Sequence, residues 1–298
     1  MLAVVCHDAG GAEVVSSWLS QFSGPYFLVL DGPAKDIFER KLGSREITSL
    51  DKAIKDSDWV LCGTSWTSNL ERIAIRKAKS LNKKVVSYLD HWINYRERFQ
   101  DNSQSILPDE IWVGDVYALR IAKNVLPEVK IIYMPNMYFK ELENAFDFSQ
   151  KNKNEKRTDC SALFVCEPIA EIAKQEFGNE LHYGYTQIDA INYFLKNIDK
   201  LSQSIKSIKF RPHPSEPLDK YNWVKSCCPI HVLIGGRQSL IEEIVDADII
   251  VGCQSMAMVV GLIGGKEVVS SIPPNGQKCA LPHKEILHLQ NIIGGHND

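Results

Sequence analysis

Residues 240–272 read LIEEIVDADIIVGCQSMAMVVGLIGGKEVVSSI. A short amphipathic helix (Leu240–Val245) leads through Asp246-Ala247-Asp248 into an apolar strand (Ile249–Val251). The turn Gly252-Cys253-Gln254-Ser255 follows, then an apolar helix from Met256 to Ile263 that ends at Gly264-Gly265, and Lys266 opens the next strand. Strand, turn, helix and strand in that order predict a parallel βαβ unit. Ser255 then falls at a helix N-terminus and at the carboxyl end of a strand, where exposed amides and the helix dipole favour an anion. An N-cap serine is the bland reading of the same residue.

The same rhythm extends in both directions. Upstream, Leu2–Cys6, Tyr26–Leu30, Trp59–Cys62, Val85–Leu89, Ile111–Val113 and Ile131–Met134 read as strands, separated by helices such as Ala12–Phe22, Leu70–Leu81 and Val116–Val125. The run SQKNKNEKRTD (149–159) has no large apolar residue and reads as an exposed linker. After it the pattern restarts with Ala162–Cys166, a helix near Gln187–Ile198, Ile208–Phe210, His231–Ile234 and Val268–Ser270. The expected fold class is α/β, with two Rossmann-like, doubly wound domains facing a cleft: residues 1–148, a linker 149–159, and 160–298. The last segment, His283–Ile293, reads as a helix that packs back on the first domain.

Ser207–Pro217, SIKFRPHPSEP, carries the second signal. Two prolines flank His213 and stop a strand abruptly, since each fixes its backbone and lacks an amide donor. The product is a stiff corner presenting Arg211, His213 and Pro214 at a strand's carboxyl end, suited to a phosphate. Its bland reading is a surface loop with a satisfied histidine.

Composition narrows the function. Net charge is −3, so no basic field favours nucleic acid. No apolar run approaches the ~20 residues that span a bilayer, although peripheral membrane contact stays compatible. The eight cysteines form no CxxC pair, and four lie in strand-like runs, as expected of reduced thiols in a cytoplasmic protein.

The ADxxVGxxS(x9)GK stretch (Ala247 to Lys266) behind an RPHP loop resembles nucleotide-sugar glycosyltransferases of the GT-B fold, in particular capsule, teichoic-acid and nonulosonate-type enzymes. The resemblance covers residues 208–272 and is diffuse elsewhere. It implies that His213, with Pro214, and Ser255 bind the phosphate of a CMP-, CDP- or UDP-linked donor. Arg211, Gln254, Gly235 and Arg237 complete the expected phosphate or nucleotide set. No cofactor is implied beyond the nucleotide-sugar co-substrate. Asp246-Ala247-Asp248 looks like a metal-binding DxD but falls at the amino end of its strand, so no metal is expected.

In the first half, His7-Asp8-Ala9-Gly10-Gly11 follows the first strand. The glycines permit a sharp turn against a ligand, and Asp8 or His7 is a candidate general base; an Asx-type helix cap is the alternative. Thr64 and Ser65 close another strand. Asp90-His91-Trp92-Ile93-Asn94 follows a third, with Asp90 the second candidate base, and His91, Trp92 and Asn94 a candidate aromatic and polar sugar platform. Glu167, at the end of a strand in the second half, is a candidate for a sugar hydroxyl or proton shuttle, or an ordinary helix-start acid. The expected reaction is glycosyl transfer to a glycan or small-molecule acceptor in surface-polysaccharide synthesis. A nucleotide-sugar hydrolase or 2-epimerase, and a non-catalytic nucleotide-sugar-binding protein, are the alternatives.

Overall fold

The computed structural model describes residues 1–101, 104–151, 159–201 and 204–295. The chain divides into two compact units, Met1–Glu141 and Leu142–Asp298. In the first, the strands are β1 (Leu2–Cys6), β2 (Tyr26–Leu30), β3 (Trp59–Cys62), β4 (Lys84–Leu89), β5 (Gln100–Asp101), β6 (Gln104–Ser105), β7 (Glu110–Val113) and β8 (Lys130–Tyr133). Six of them form an all-parallel sheet in the order β2-β1-β3-β4-β7-β8, while β5 and β6 make a separate antiparallel hairpin. Every residue of β1 is buried, as a strand bonded on both sides and covered on both faces requires. Ile47 adds a one-residue parallel bridge to Leu28, so a vestigial strand extends the β2 edge.

The second unit repeats the design with β9 (Cys160–Val165), β10 (Ile205–Arg211), β11 (His231–Ile234), β12 (Ile249–Gly252), β13 (Glu267–Ser270) and β14 (Leu287–His288). Their order is β11-β10-β9-β12-β13-β14, all parallel. Counted from its own first strand this is 3-2-1-4-5-6, the Rossmann order, and it reverses direction between β9 and β12. That switch point places the loops after β9 and β12 side by side.

Each unit has an aromatic core. In the first, the Trp112 ring lies 5.2 Å from Trp18 and 6.2 Å from both Trp59 and Tyr88. In the second, Phe164 of β9 stacks on Phe210 of β10 at 5.3 Å and meets Phe194, from the helix Gln187–Lys196, at 5.6 Å. Among the described residues no helix is long and apolar enough to cross a membrane.

Two expectations differ from the structure. Ser149–Lys151, read as linker, form the last turn of the helix Met137–Lys151, and residues 152–158 of that linker lie outside the described residues. Leu142 and Phe146, four apart on one helical face, are buried and carry the helix into the polar run. The division between the units falls inside this helix. The segment read as a helix over 283–293 is a two-residue strand, β14, followed by the short helix Leu289–Gly294, whose Leu289 is buried in the core of the second unit.

Phe164→Ala removes the ring shared by both aromatic contacts. It is expected to destabilise the second unit by about 3–5 kcal/mol, read as a lower denaturant midpoint.

Candidate functional site

Because the second sheet is parallel, the loops after β9, β10 and β12 leave from one edge. Glu167 follows β9, and its Oε1 accepts hydrogen bonds from the backbone amides of Cys253 (2.8 Å), Gln254 (2.9 Å) and Ser255 (3.2 Å). The anion site expected at the head of the helix Met256–Ile263 is therefore built, and the chain's own carboxylate occupies it. Ser255 is the N-cap residue but makes no side-chain cap bond, and its buried Oγ has no hydrogen-bond partner. Gln254 is tied elsewhere, with Oε1 accepting from the Ala280 amide at 3.2 Å.

Burial pushes the Glu167 carboxyl up to about 7, against the pull of the three amides. Side chains that sense its charge include the thiols of Cys166, Cys253 and Cys279 and the hydroxyl of Tyr185, all neutral near pH 7.

The HP loop is held by a residue the sequence did not single out. Glu216, its side chain 4% exposed, accepts the His213 amide on Oε2 (2.9 Å), and on Oε1 the Lys220 ammonium (2.7 Å) and the Tyr221 hydroxyl (2.8 Å). His213 Nδ1 lies 2.7 Å from Ser215 Oγ and accepts the Ser215 amide at 3.2 Å. A backbone N–H only donates, so Nδ1 is the acceptor and the neutral ring carries its proton on Nε2. The exposed His213 thus offers Nε2–H to a ligand.

Arg211 differs from its expected role. Its Nη1 donates to Glu243 Oε2 (2.6 Å) and to the Gln238 carbonyl (3.0 Å). Glu243 is 2% exposed, and its Oε1 accepts the Gly236 amide at 2.8 Å. A Cβ on Gly235 would lie 2.8 Å from both Glu243 carboxylate oxygens, so this glycine admits the internal brace rather than a ligand. The Nη1 edge of this guanidinium is thus committed to a buried carboxylate. Arg237 remains exposed, as does Pro214.

In the first unit, His7 and Asp8 follow β1. Asp8 Oδ1 lies 2.7 Å from His7 Nδ1, and the carboxylate accepts the Trp66 amide (2.7 Å), the Thr67 amide (3.3 Å) and the Thr67 hydroxyl (2.6 Å). Burial pushes the Asp8 pKa up, but these bonds outweigh it and hold it below the usual value. Asp8 is therefore a weak base and a good orienter of His7. The helix-cap alternative fails, since Asp8 makes no side-chain cap bond to the helix Ala9–Leu19. The His7 amide donates to Glu71 Oε1 (2.7 Å), and the ring rests on Gly32, where φ is +51 and a Cβ would lie 2.6 Å from Nε2.

Asp90 Oδ1 accepts from Thr64 Oγ1 (2.8 Å) and pairs with Arg98 (3.5 Å). Its Oδ2 sits over the first turn of the helix Ala9–Leu19, where a Cβ on Gly10 would come within 2.0 Å. Gly11 lies against the backbone of Gly63 and Thr64, with its Cβ position 3.1 Å from the Thr64 nitrogen. These glycines serve close packing inside the edge. Ser65 is buried beside Glu71.

The expected sugar platform differs as well. Trp92 is 4% exposed and donates its indole N–H to Asp115 (2.9 Å); Tyr95 and Phe99 are buried too. The aromatics of residues 90–99 belong to the core. His91 Nδ1 accepts the Trp92 amide (2.9 Å), and Asn94 is exposed with φ +56. Trp66, 45% exposed, is an aromatic on this edge beside Asp8. At the opposite edge of the second sheet, Asp248 accepts the Ser161 amide (2.8 Å) and joins β12 to β9. Among the described residues no group of three or more His, Cys, Asp or Glu could hold a metal ion.

No protein-family description matches the chain, and no curated protein matches it. Solved structures do. The UDP-GlcNAc 2-epimerase from Methanocaldococcus jannaschii aligns with a TM-score of 0.58 at 13% identity, over 90% of this chain and 83% of that one. MnaA of S. aureus, solved with UDP, aligns with a TM-score of 0.59 at 12% identity, over 99% and 86%. The fold is GT-B-like. At these identities the likeness concerns the fold.

The Glu167 environment gives a pH signature. Between about 4.5 and 7 the folded state keeps a proton that the unfolded state has lost, so this carboxyl makes stability fall as pH rises through that window. Glu167→Gln removes the effect. The variant should gain up to about 3 kcal/mol on wild type between pH 5 and 8, measured by denaturant unfolding; parallel pH profiles would contradict the assignment.

Proposed function

We propose that this chain is a cytoplasmic glycosyltransferase that moves a sugar from a CMP-, CDP- or UDP-linked donor to a glycan or related acceptor, without a metal. The observation that carries the reading is His213: its loop is clamped by Glu216, its Nδ1 is satisfied, and its Nε2–H is presented at the carboxyl edge next to the switch point. A preorganised donor of this kind stabilises charge developing on a leaving phosphate. Ser255 Oγ and Arg237 are the further groups we assign to the nucleotide. All eight cysteines are free, which suits a reducing compartment.

In the first unit we assign the base to His7, with Asp8 as its orienting partner, following the logic of a carboxylate–histidine pair. The acceptor oxygen gives its proton to His7 and bonds to the anomeric carbon. The bond from that carbon to the phosphate oxygen breaks, and its electron pair leaves with the nucleotide. Polysaccharide synthesis is the setting this reaction suits.

A second reading is a nucleotide-sugar 2-epimerase or hydrolase, favoured by the two fold relatives above. Product analysis without acceptor separates them: an epimer or free sugar supports the second reading, and acceptor-dependent turnover the first.

Thermal unfolding with CMP, CDP, UDP, ADP and GDP tests the common element. At least one nucleotide should raise Tm by several degrees, as saturating ligand does, and His213→Ala should abolish most of that rise. Absence of a shift with every nucleotide would overturn the donor site.

A further inference from the structure

At a switch point, a helix N-terminus ordinarily takes its anion from a ligand. Here Glu167 fills the seat from inside, and two features indicate that it is a poor permanent occupant. The carboxylate is bonded by backbone amides, and its charge is felt by the thiols of Cys166, Cys253 and Cys279 and by the Tyr185 hydroxyl. Burial pushes its pKa up to about 7, so the seat disfavours the ionised form that fills it.

The second feature is the set of donors left over. Glu167 serves all three amides through Oε1. Ser255 Oγ, on the same turn, is buried without a partner. The Tyr185 hydroxyl, on a residue 2% exposed, bonds the Cys253 thiol and lies within electrostatic reach of Glu167. A tetrahedral phosphate has oxygens enough for the amides and a hydroxyl together, which one carboxylate oxygen does not.

We propose that Glu167 is an internal stand-in for a phosphate group: it holds the amides of Cys253, Gln254 and Ser255 in the ligand-free protein, and a nucleotide phosphate takes them by displacing it. The exchange rests on the donor reading given above. One N–H cannot serve both acceptors fully, so the two occupants compete, and nucleotide affinity reports the difference between them.

The experiment follows the backbone amide resonances of Cys253, Gln254 and Ser255 while CMP, UDP and inorganic phosphate are titrated into wild type, Glu167→Ala and Glu167→Gln. In Glu167→Ala the seat is open, and the nucleotide that binds wild type should bind about tenfold tighter, the worth of one charge-assisted hydrogen bond. Glu167→Gln, which caps without charge, should fall between. Equal or weaker nucleotide affinity in folded variants overturns the exchange and leaves the donor reading in place. Phosphate on these amides in Glu167→Ala, with no nucleotide bound by any form, sustains the exchange and overturns the donor reading. No movement of the amides by any probe in either variant overturns the exchange. Should Glu167→Ala not fold, Glu167→Gln decides alone, by tighter binding or its absence.

Discussion

The carboxylate of Glu167, bonded to three successive amides across the switch point, is the constraint on which the carboxyl edge of the second unit's sheet depends. It joins the end of β9 to the turn after β12, residues 86 to 88 positions apart in the chain. The same device recurs. Glu216 holds the His213 amide, Glu243 the Gly236 amide, Asp8 the amides of Trp66 and Thr67, and Glu71 the His7 amide. Loops leaving a parallel sheet have amides with no ladder partner, and buried amides need acceptors. This chain supplies them as carboxylates from its own side chains.

That economy decides which groups remain for a ligand. Cations on this edge are paired within the chain: Arg211, through Nη1, with Glu243, and Lys220 with Glu216 and Glu171. His213 Nε2, Ser255 Oγ and exposed Arg237 remain on the second unit. On the first, His7 is held from Nδ1 by a carboxylate whose hydrogen bonds keep it ionised. The chemistry proposed here uses these groups.

The α/β rhythm was legible because parallel strands buried on both faces are continuous apolar runs, as in β1 and β12. Ser255 at a helix start and His213 on a stiff loop were legible because glycine and proline act locally. Long-range partners were not. Nothing near Glu167 in sequence points to residues 253–255, and nothing near Arg211 points to Glu243. Trp92 was misread because a core tryptophan and a sugar platform have the same local composition; the indole bond to Asp115 distinguishes them. The polar run after Phe146 hid the end of a helix whose buried face lies on the other side.

A crystal structure with the bound nucleotide tests the central claim most directly. The account predicts a phosphate oxygen within hydrogen-bonding distance of His213 Nε2 and another at the Ser255 hydroxyl, both at the carboxyl edge of the second sheet. A nucleotide bound with its phosphate away from both residues would contradict it.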